Sequence, residues 1–276
     1  MDLVCIICGG IEKSVVGFKN SHSLMRCDFC GYMHLHPAPT EAELRDFYQD
    51  KFFDDLYNPD TCQEKQVFKD RKEQYIADKD YLFKFVQQGN ILDVGCGSGG
   101  FLNTFSWNFK KYGYEINNKA ASQILARNKD ITMFTRLTDA PDECFDAVVL
   151  RGVIEHIPDV KETIEILVDK MVYKGVLYIC ATPNADSPAF LAYGAGWKLI
   201  ISPDHIHYFS PRTLAMLMAK FGLTLIDIQL PYLNTTYKQP EDGNDFVSQV
   251  MEPGSENISP AYPGSMMSLV FRKIIG

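Results

Sequence analysis

The sequence contains no apolar run approaching the roughly 20 residues that a membrane-spanning helix requires, so no membrane span is expected. Its opening residues, Met1-Asp2-Leu3-Val4-Cys5, lack the basic region and long apolar stretch of a secretory signal, which leads to the expectation of a cytoplasmic protein. Positive charge is also short: 27 Lys and Arg stand against 35 Asp and Glu, a formal net charge of -8. A protein whose main work is to neutralise nucleic-acid phosphates carries the opposite balance, so nucleic acid is not an expected partner. No internal repeat is present. What remains is ordinary for a chain that buries a sizeable core, with 46% hydrophobic and 22% charged residues. A length of 276 residues leaves one large domain or two modest ones open.

Four of the eight cysteines are paired as Cys5-x-x-Cys8 and Cys27-x-x-Cys30, with eighteen residues between the pairs. That interval lies within the zinc-ribbon window of about 15 to 20. Gly9 and Gly31 directly follow the second cysteine of each pair, as tight thiolate-binding turns prefer. Four thiolates closing a tetrahedron leave no open position, so the expected role of the Zn2+ is structural. Disulfides or an iron–sulfur cluster are the alternatives. In this module Lys13, Lys19 and Arg26 are balanced by Asp2, Glu12 and Asp28, which offers no basic surface. The remaining cysteines, Cys62, Cys96, Cys144 and Cys180, are scattered and read as small buried hydrophobes.

Three units are expected: a zinc-ribbon module over 1–37, a helical connector over 38–88 and an α/β domain over 89–276. Thr40 and Glu43 form a capping-box pattern that starts a short helix through Asp50. The charged segment from Cys62 to Gln88 reads as one or two helices. Strands are expected at Ile91–Val94, Tyr112–Ile116, Ile131–Phe134, Phe145–Leu150 and Gly175–Ala181, with helices at Phe101–Asn108, Asn117–Lys129 and Val160–Tyr173. Such alternation implies a Rossmann-like, doubly wound, mostly parallel sheet. Ser210-Pro211 supplies a cap and first-turn proline for a further helix ending at Gly222. Leu223–Leu230 and Met266–Arg272 then read as a C-terminal antiparallel hairpin. The polar stretch between them, about 233–264, has the length of a lid, a partner contact or disorder.

The turn after the first strand reads Asp93-Val94-Gly95-Cys96-Gly97-Ser98-Gly99-Gly100. Glycines there admit a close backbone approach to a ligand. Glu115, about twenty residues on, stands where a carboxylate accepts hydrogen bonds from ribose hydroxyls. Gly95, Gly97 and Gly100 also satisfy the dinucleotide fingerprint. Asp93 tips the balance, because a carboxylate would repel a pyrophosphate but suits a cationic amino group and a sulfonium.

These residues resemble the class I S-adenosylmethionine-dependent methyltransferases, over roughly residues 89 to 230. Asp93, Gly95, Gly97 and Gly99 match the first motif of that superfamily, and Glu115 the second. Phe145-Asp146-Ala147-Val148-Val149 and Glu155-His156-Ile157-Pro158-Asp159 look like the fourth strand and following loop of its small-molecule members. The resemblance implies a cofactor set of Asp93, Gly95, Cys96, Gly97, Gly99, Glu115, Ile116 and Leu150, with adenine contacts near Leu137–Asp139.

Methyl transfer to a hydroxyl needs an in-line acceptor and a proton sink, a task that suits histidine. His156 offers one, although Glu-His-Ile-Pro-Asp recurs among members with unlike acceptors and a scaffold role is the stronger reading. The second source is Pro203-Asp204-His205-Ile206-His207-Tyr208. If it is extended, alternation puts His205 and His207 on one face and Asp204 and Tyr208 on the other. The pattern His205-x-x-Tyr208-Phe209-Ser210-x-x-Thr213-Leu214 resembles zinc-ribbon methyltransferases, some of them linked to nucleotide-sugar and polysaccharide modification. That resemblance implies an acceptor site near His205, with His207 as second candidate and Tyr208 either lining the acceptor or in the core. The long extra C-terminal domain of the related sugar C-methyltransferases is missing, which favours an oxygen acceptor on a sugar or polysaccharide precursor. N- or C-methylation, or a cofactor-binding scaffold without chemistry, are the alternatives. Tyr193 and Trp197 stand either as an aromatic wall for the acceptor or as ordinary packing.

Overall fold

The computed structural model describes residues 4–47, 63–197, 199–231 and 264–275. Two sheets organise them. The smaller is antiparallel, built from β1 (Lys13–Lys19), β2 (His22–Cys27), β3 (Met33–His36) and a two-residue strand β9 (His207–Tyr208) contributed from far along the chain, in the order β1-β2-β3-β9. The larger contains β4 (Gly89–Val94), β5 (Phe109–Tyr114), β6 (Ile131–Phe134), β7 (Phe145–Arg151), β8 (Met171–Pro183), β10 (Leu223–Gln229) and β11 (Met266–Lys273). Its order is β10-β11-β8-β7-β4-β5-β6, and the five strands from β8 to β6 run parallel. The antiparallel pair β10–β11 closes the other edge against β8. This is the Rossmann-like sheet with a C-terminal hairpin that the alternation implies.

Period-two alternation sorts each central strand onto two faces. Leu92, Val94, Val148, Leu150, Leu177 and Ile179 meet α4 (Val160–Lys170) and, beyond the short helix α5 (Pro188–Tyr193), α6 (Pro211–Ala219) through Ile164, Leu167, Leu214 and Leu217. Ile91, Ala147, Val149, Val176 and Tyr178 meet α2 (Gln63–Leu82) and α3 (Asn118–Arg127) through Tyr81, Leu82 and Ile124. Cys5, Ile7, Cys27, Cys30 and Tyr32 belong to the first of these cores, so the cysteine module is packed onto the α/β unit. No described helix is long and apolar enough to cross a membrane.

Capping follows the sequence pattern. In front of α1 (Glu41–Phe47) the Thr40 N–H donates to Glu43 Oε2 at 2.8 Å and the Glu43 N–H to Thr40 Oγ1 at 3.2 Å. Ser210 and Thr213 make the same reciprocal pair at α6, with Pro211 in its first turn. The expected continuation of α1 to Asp50, and most of the 233–264 stretch, lie outside the described residues.

Three local expectations are corrected. Phe101–Asn108 is not a helix but a single 3-10 turn at Leu102–Thr104. The apolar spacing of Phe101, Leu102, Phe105 and Phe109 imitates a helical face, yet Phe109 already opens β5 and pairs with Gly89. Helix α4 stops at Lys170, because Met171 is extended and pairs with Phe145 at the start of β8. The 204–208 segment does not alternate as a strand. Asp204 sits in a turn closed by the His205 N–H on the Ile201 carbonyl at 2.7 Å, and only His207 and Tyr208 are strand.

Candidate active site

The site forms at the C-terminal ends of β4, β5 and β7, where the chain order reverses across β4 and doubly wound sheets bind their ligands. At the turn, Gly95 has φ +71° and an added Cβ would stand 2.6 Å from Val153 Cγ2. A left-handed conformation and a close neighbour both demand glycine. The N–H groups of Gly95 and Cys96 donate to the Tyr114 carbonyl at 2.7 and 3.1 Å, which ties the turn to the end of β5. Glu115 follows immediately. Its Oε2 accepts from the Gly97 N–H at 2.8 Å and its Oε1 from the Asn117 N–H at 2.9 Å. Burial raises its pKa, opposed by these backbone donors.

Asp93 is 2% exposed on the α2 face of β4. Burial pushes its carboxyl up to about 7; Arg151 opposes the shift and Glu115 adds to it. Arg151 ends β7 and was not singled out from sequence. Its Nε donates to Asp78 Oδ2 of α2 at 2.9 Å, and its guanidinium lies 4.5 Å from the ring centre of Tyr75. Tyr178 donates to the other Asp78 oxygen at 3.4 Å. A charged residue closing the apolar run Ala147–Leu150 was the available signal. Of the other expected cofactor residues, Cys96 is buried, Ile116 is 82% exposed and Leu150 has its side chain in the core on the face opposite Asp93. Leu137–Asp139 is a 3-10 turn with no buried side chain.

A second cluster begins two residues beyond Val153. Glu155, Asp204 and His205 are buried, with His156 between them. His156 Nδ1 lies 2.9 Å from Asp204 Oδ1, and its Nε2 lies 4.0 Å from Glu155 Oε1. The Thr182 hydroxyl donates to Glu155 Oε2 at 3.1 Å. Burial disfavours the imidazolium of His156, but the Asp204 hydrogen bond and the Glu155 charge outweigh it and raise the pKa to about 9. His205 is the opposite case. Burial and the neighbouring His156 bring its pKa down to about 4. Its Nδ1 donates to the Leu199 carbonyl at 3.0 Å, leaving Nε2 as the acceptor. The two imidazoles meet edge to face with centres 4.6 Å apart. Asp204, brought in by the turn that breaks the expected alternation, was missed as a partner of His156.

His207 is engaged at both nitrogens, taking the Tyr32 hydroxyl on Nδ1 and donating from Nε2 to the Ile157 carbonyl at 2.9 Å. Tyr208 pairs with Met33 and packs with Leu24, Leu35 and Trp197 in a third buried cluster. Trp197 is fully buried and Tyr193 packs at the edge of that cluster.

In the cysteine module, the four Sγ atoms lie within 4.8 Å of one another, with Cys5–Cys30 at 3.6 Å and Cys8–Cys27 at 3.5 Å. Tetrahedral zinc thiolates at about 2.3 Å place their sulfurs about 3.8 Å apart, so the donor set fits. Gly9 and Gly31 have φ near +79° and +78°, and the Gly10 N–H reaches Cys8 Sγ at 3.4 Å. Arg212 of α6 donates to the Cys30 carbonyl at 2.5 Å, fastening the module to the α/β unit.

A glycine turn and an acid pair at the switch point of a Rossmann-like sheet define a nucleotide-cofactor enzyme. The chain belongs to the methyltransferase domain family, whose model matches residues 67–228. It is an S-adenosylmethionine-dependent methyltransferase. No protein of curated function matches it in sequence. Among solved structures it is similar to 1,6-didemethyltoxoflavin-N1-methyltransferase from Burkholderia thailandensis, with 13% identity, 96% of this chain and 100% of that one covered, and a TM-score of 0.58. It is also similar to a protein of Galdieria sulphuraria provisionally named a sarcosine dimethylglycine methyltransferase, with 16% identity, coverage of 74% and 84%, and a TM-score of 0.54. The [4+2]-cyclase SpnF matches at 14% identity, coverage of 87% and 98%, and a TM-score of 0.54. These likenesses establish the fold; the last belongs to a protein named for a different reaction.

Proposed function

We propose that the protein transfers the methyl group of S-adenosylmethionine to a hydroxyl of a small molecule, a sugar or polysaccharide precursor, with zinc held structurally by Cys5, Cys8, Cys27 and Cys30. The cofactor lies over the glycine turn, its ribose on Glu115 and its cationic amino group and sulfonium near Asp93. The acceptor lies against His205. The observation that carries this reading is the tautomer of His205: the Leu199 carbonyl takes Nδ1–H, so Nε2 keeps a lone pair within the cluster that begins two residues beyond Val153, the neighbour of Gly95. As the acceptor oxygen attacks the methyl carbon in line, the carbon–sulfur bond breaks with its electron pair going to sulfur, and the hydroxyl proton passes to Nε2. Asp204 and Glu155 flank the imidazolium that results. His207 and Tyr208 act from behind, fixing the turn that presents His205 to the β3 edge.

The test is transfer of labelled methyl from S-adenosylmethionine to a panel of sugars and nucleotide sugars. A hydroxyl acceptor is expected to be labelled by the wild type, and His205→Ala to lower kcat by about 100-fold or more while cofactor affinity stays unchanged. Tight cofactor binding with no labelled product from any acceptor would favour the scaffold reading, and labelling on nitrogen or carbon would move the acceptor class.

A further inference from the structure

Glu155, His156 and His205 bring one carboxylate oxygen and two imidazole nitrogens within 4.8 Å of one another. Each is held from behind. His156 Nδ1 faces Asp204 at 2.9 Å, His205 Nδ1 faces the Leu199 carbonyl at 3.0 Å, and Glu155 Oε2 accepts from Thr182 at 3.1 Å. Histidines that ligate metals present this arrangement, the far ring nitrogen donating to a carboxylate or a carbonyl. We propose that these three side chains form a second metal site, separate from the cysteines, which binds a divalent transition-metal ion and leaves coordination positions open toward the acceptor.

Two further observations support it. Glu155 and Asp204 are only 2% and 3% exposed, and His156 is the one cationic group that the cluster itself sets against their two carboxyls. A divalent ion balances both with the two imidazoles neutral. The donor set, two imidazoles and one carboxylate, suits zinc, manganese, iron or cobalt rather than magnesium or calcium, which prefer oxygen. Ligand bonds of about 2.0 to 2.2 Å put tetrahedral donor atoms about 3.4 Å apart, so the cluster must close by up to about 1.4 Å, a side-chain adjustment.

This inference rests on the reading of the cluster as the acceptor site and changes one step of it. His205 becomes a ligand, and the ion lowers the pKa of the acceptor hydroxyl, whose proton leaves to solvent. The oxygen then attacks the methyl carbon, and the carbon–sulfur electron pair again goes to sulfur.

The test is a titration of Co2+ into the full-length protein with zinc already bound at the cysteines, read by visible absorption and by metal analysis after desalting. One saturable equivalent is expected, with the weak bands of nitrogen and oxygen coordination and without the intense sulfur-to-cobalt band. His205→Ala and Glu155→Gln should each weaken it by about 100-fold or more, and Asp204→Asn by about 10- to 100-fold. Near-UV circular dichroism checks that each variant folds, and His205→Gln carries the test if Glu155→Gln does not. Absence of the extra equivalent in the wild type, or equal affinity in the folded variants, overturns the site. Labelled methyl transfer after chelation separates the two readings. Turnover that survives removal of the second ion yet still depends on His205 overturns the metal step and leaves hydroxyl methylation standing.

Discussion

Asp93→Asn tests the electrostatics of the cofactor turn. In the cofactor-free protein burial holds the Asp93 carboxyl at about 7, against about 3.9 for an ordinary aspartate. A cationic ligand prefers the ionised form, so binding must draw the pKa back down and release a proton when the pH lies below 7. If the pKa returns to its ordinary value, affinity for S-adenosylmethionine should fall about 25-fold between pH 7.5 and 5.5. Proton release at pH 6 should approach about 0.9 per cofactor bound. Returning the carboxyl from about 7 to its ordinary value corresponds to a coupling with the bound cation of at most about 4 kcal/mol. The variant should therefore bind about 1,000-fold more weakly than wild type at pH 8, narrowing to about tenfold at pH 5.

Stability moves the other way. A carboxyl whose folded pKa is raised contributes its full stability below about 4 and loses it as the pH rises through about 7. The cofactor-free variant should then melt higher than wild type above pH 7, and the two should converge near pH 4. Calorimetric titrations in two buffers of different ionisation heat, with melts across the same pH range, measure both. Cofactor affinity that is flat from pH 5.5 to 7.5, with no proton released, would refute the argument.

Gly95→Ala should destabilise the protein by about 1 to 2 kcal/mol from its left-handed backbone alone, with a further cost from Val153, and should abolish detectable cofactor binding; urea unfolding and calorimetry read the two effects. Arg151→Met leaves the Asp78 carboxyl buried without its guanidinium and should cost about 3 to 5 kcal/mol, most of it recovered when Asp78→Leu is added, as chemical denaturation of the single and double variants will report. Stripping metal from the four cysteines should lower Tm by at least about 5 °C and expose β1–β3 to limited proteolysis, because Cys5, Ile7 and Tyr32 form part of the main core.

Much of this molecule is written locally. The two cysteine pairs and their glycines, the capping boxes at Thr40 and Ser210, the alternation of β4 through β8, and the Asp93–Glu115 pair all depend on neighbours within a few residues or on a repeating period. Such patterns survive in one dimension because hydrogen-bond spacing and Cβ direction fix them. Phe101, Leu102, Phe105 and Phe109 show the limit. Their spacing fits a helix, and only the pairing of Phe109 with Gly89 across the sheet makes the last of them a strand residue.

What the sequence determined by itself is therefore the cofactor end: a strand, a glycine turn and an acid at a fixed interval, enough to specify a cationic nucleotide ligand. The proposed acceptor end was decided by tertiary structure. His207 and Tyr208 join a sheet whose other strands lie within the first 36 residues, and that pairing sets the turn on which Asp204 and His205 meet Glu155 and His156, some 50 residues earlier in the chain. Arg151 likewise finds Asp78 across the interface between sheet and helix. Protonation states at these residues depend on burial and on charges brought near from distant positions. No local pattern encodes either, so the chemistry of the histidines appears only once the chain has folded.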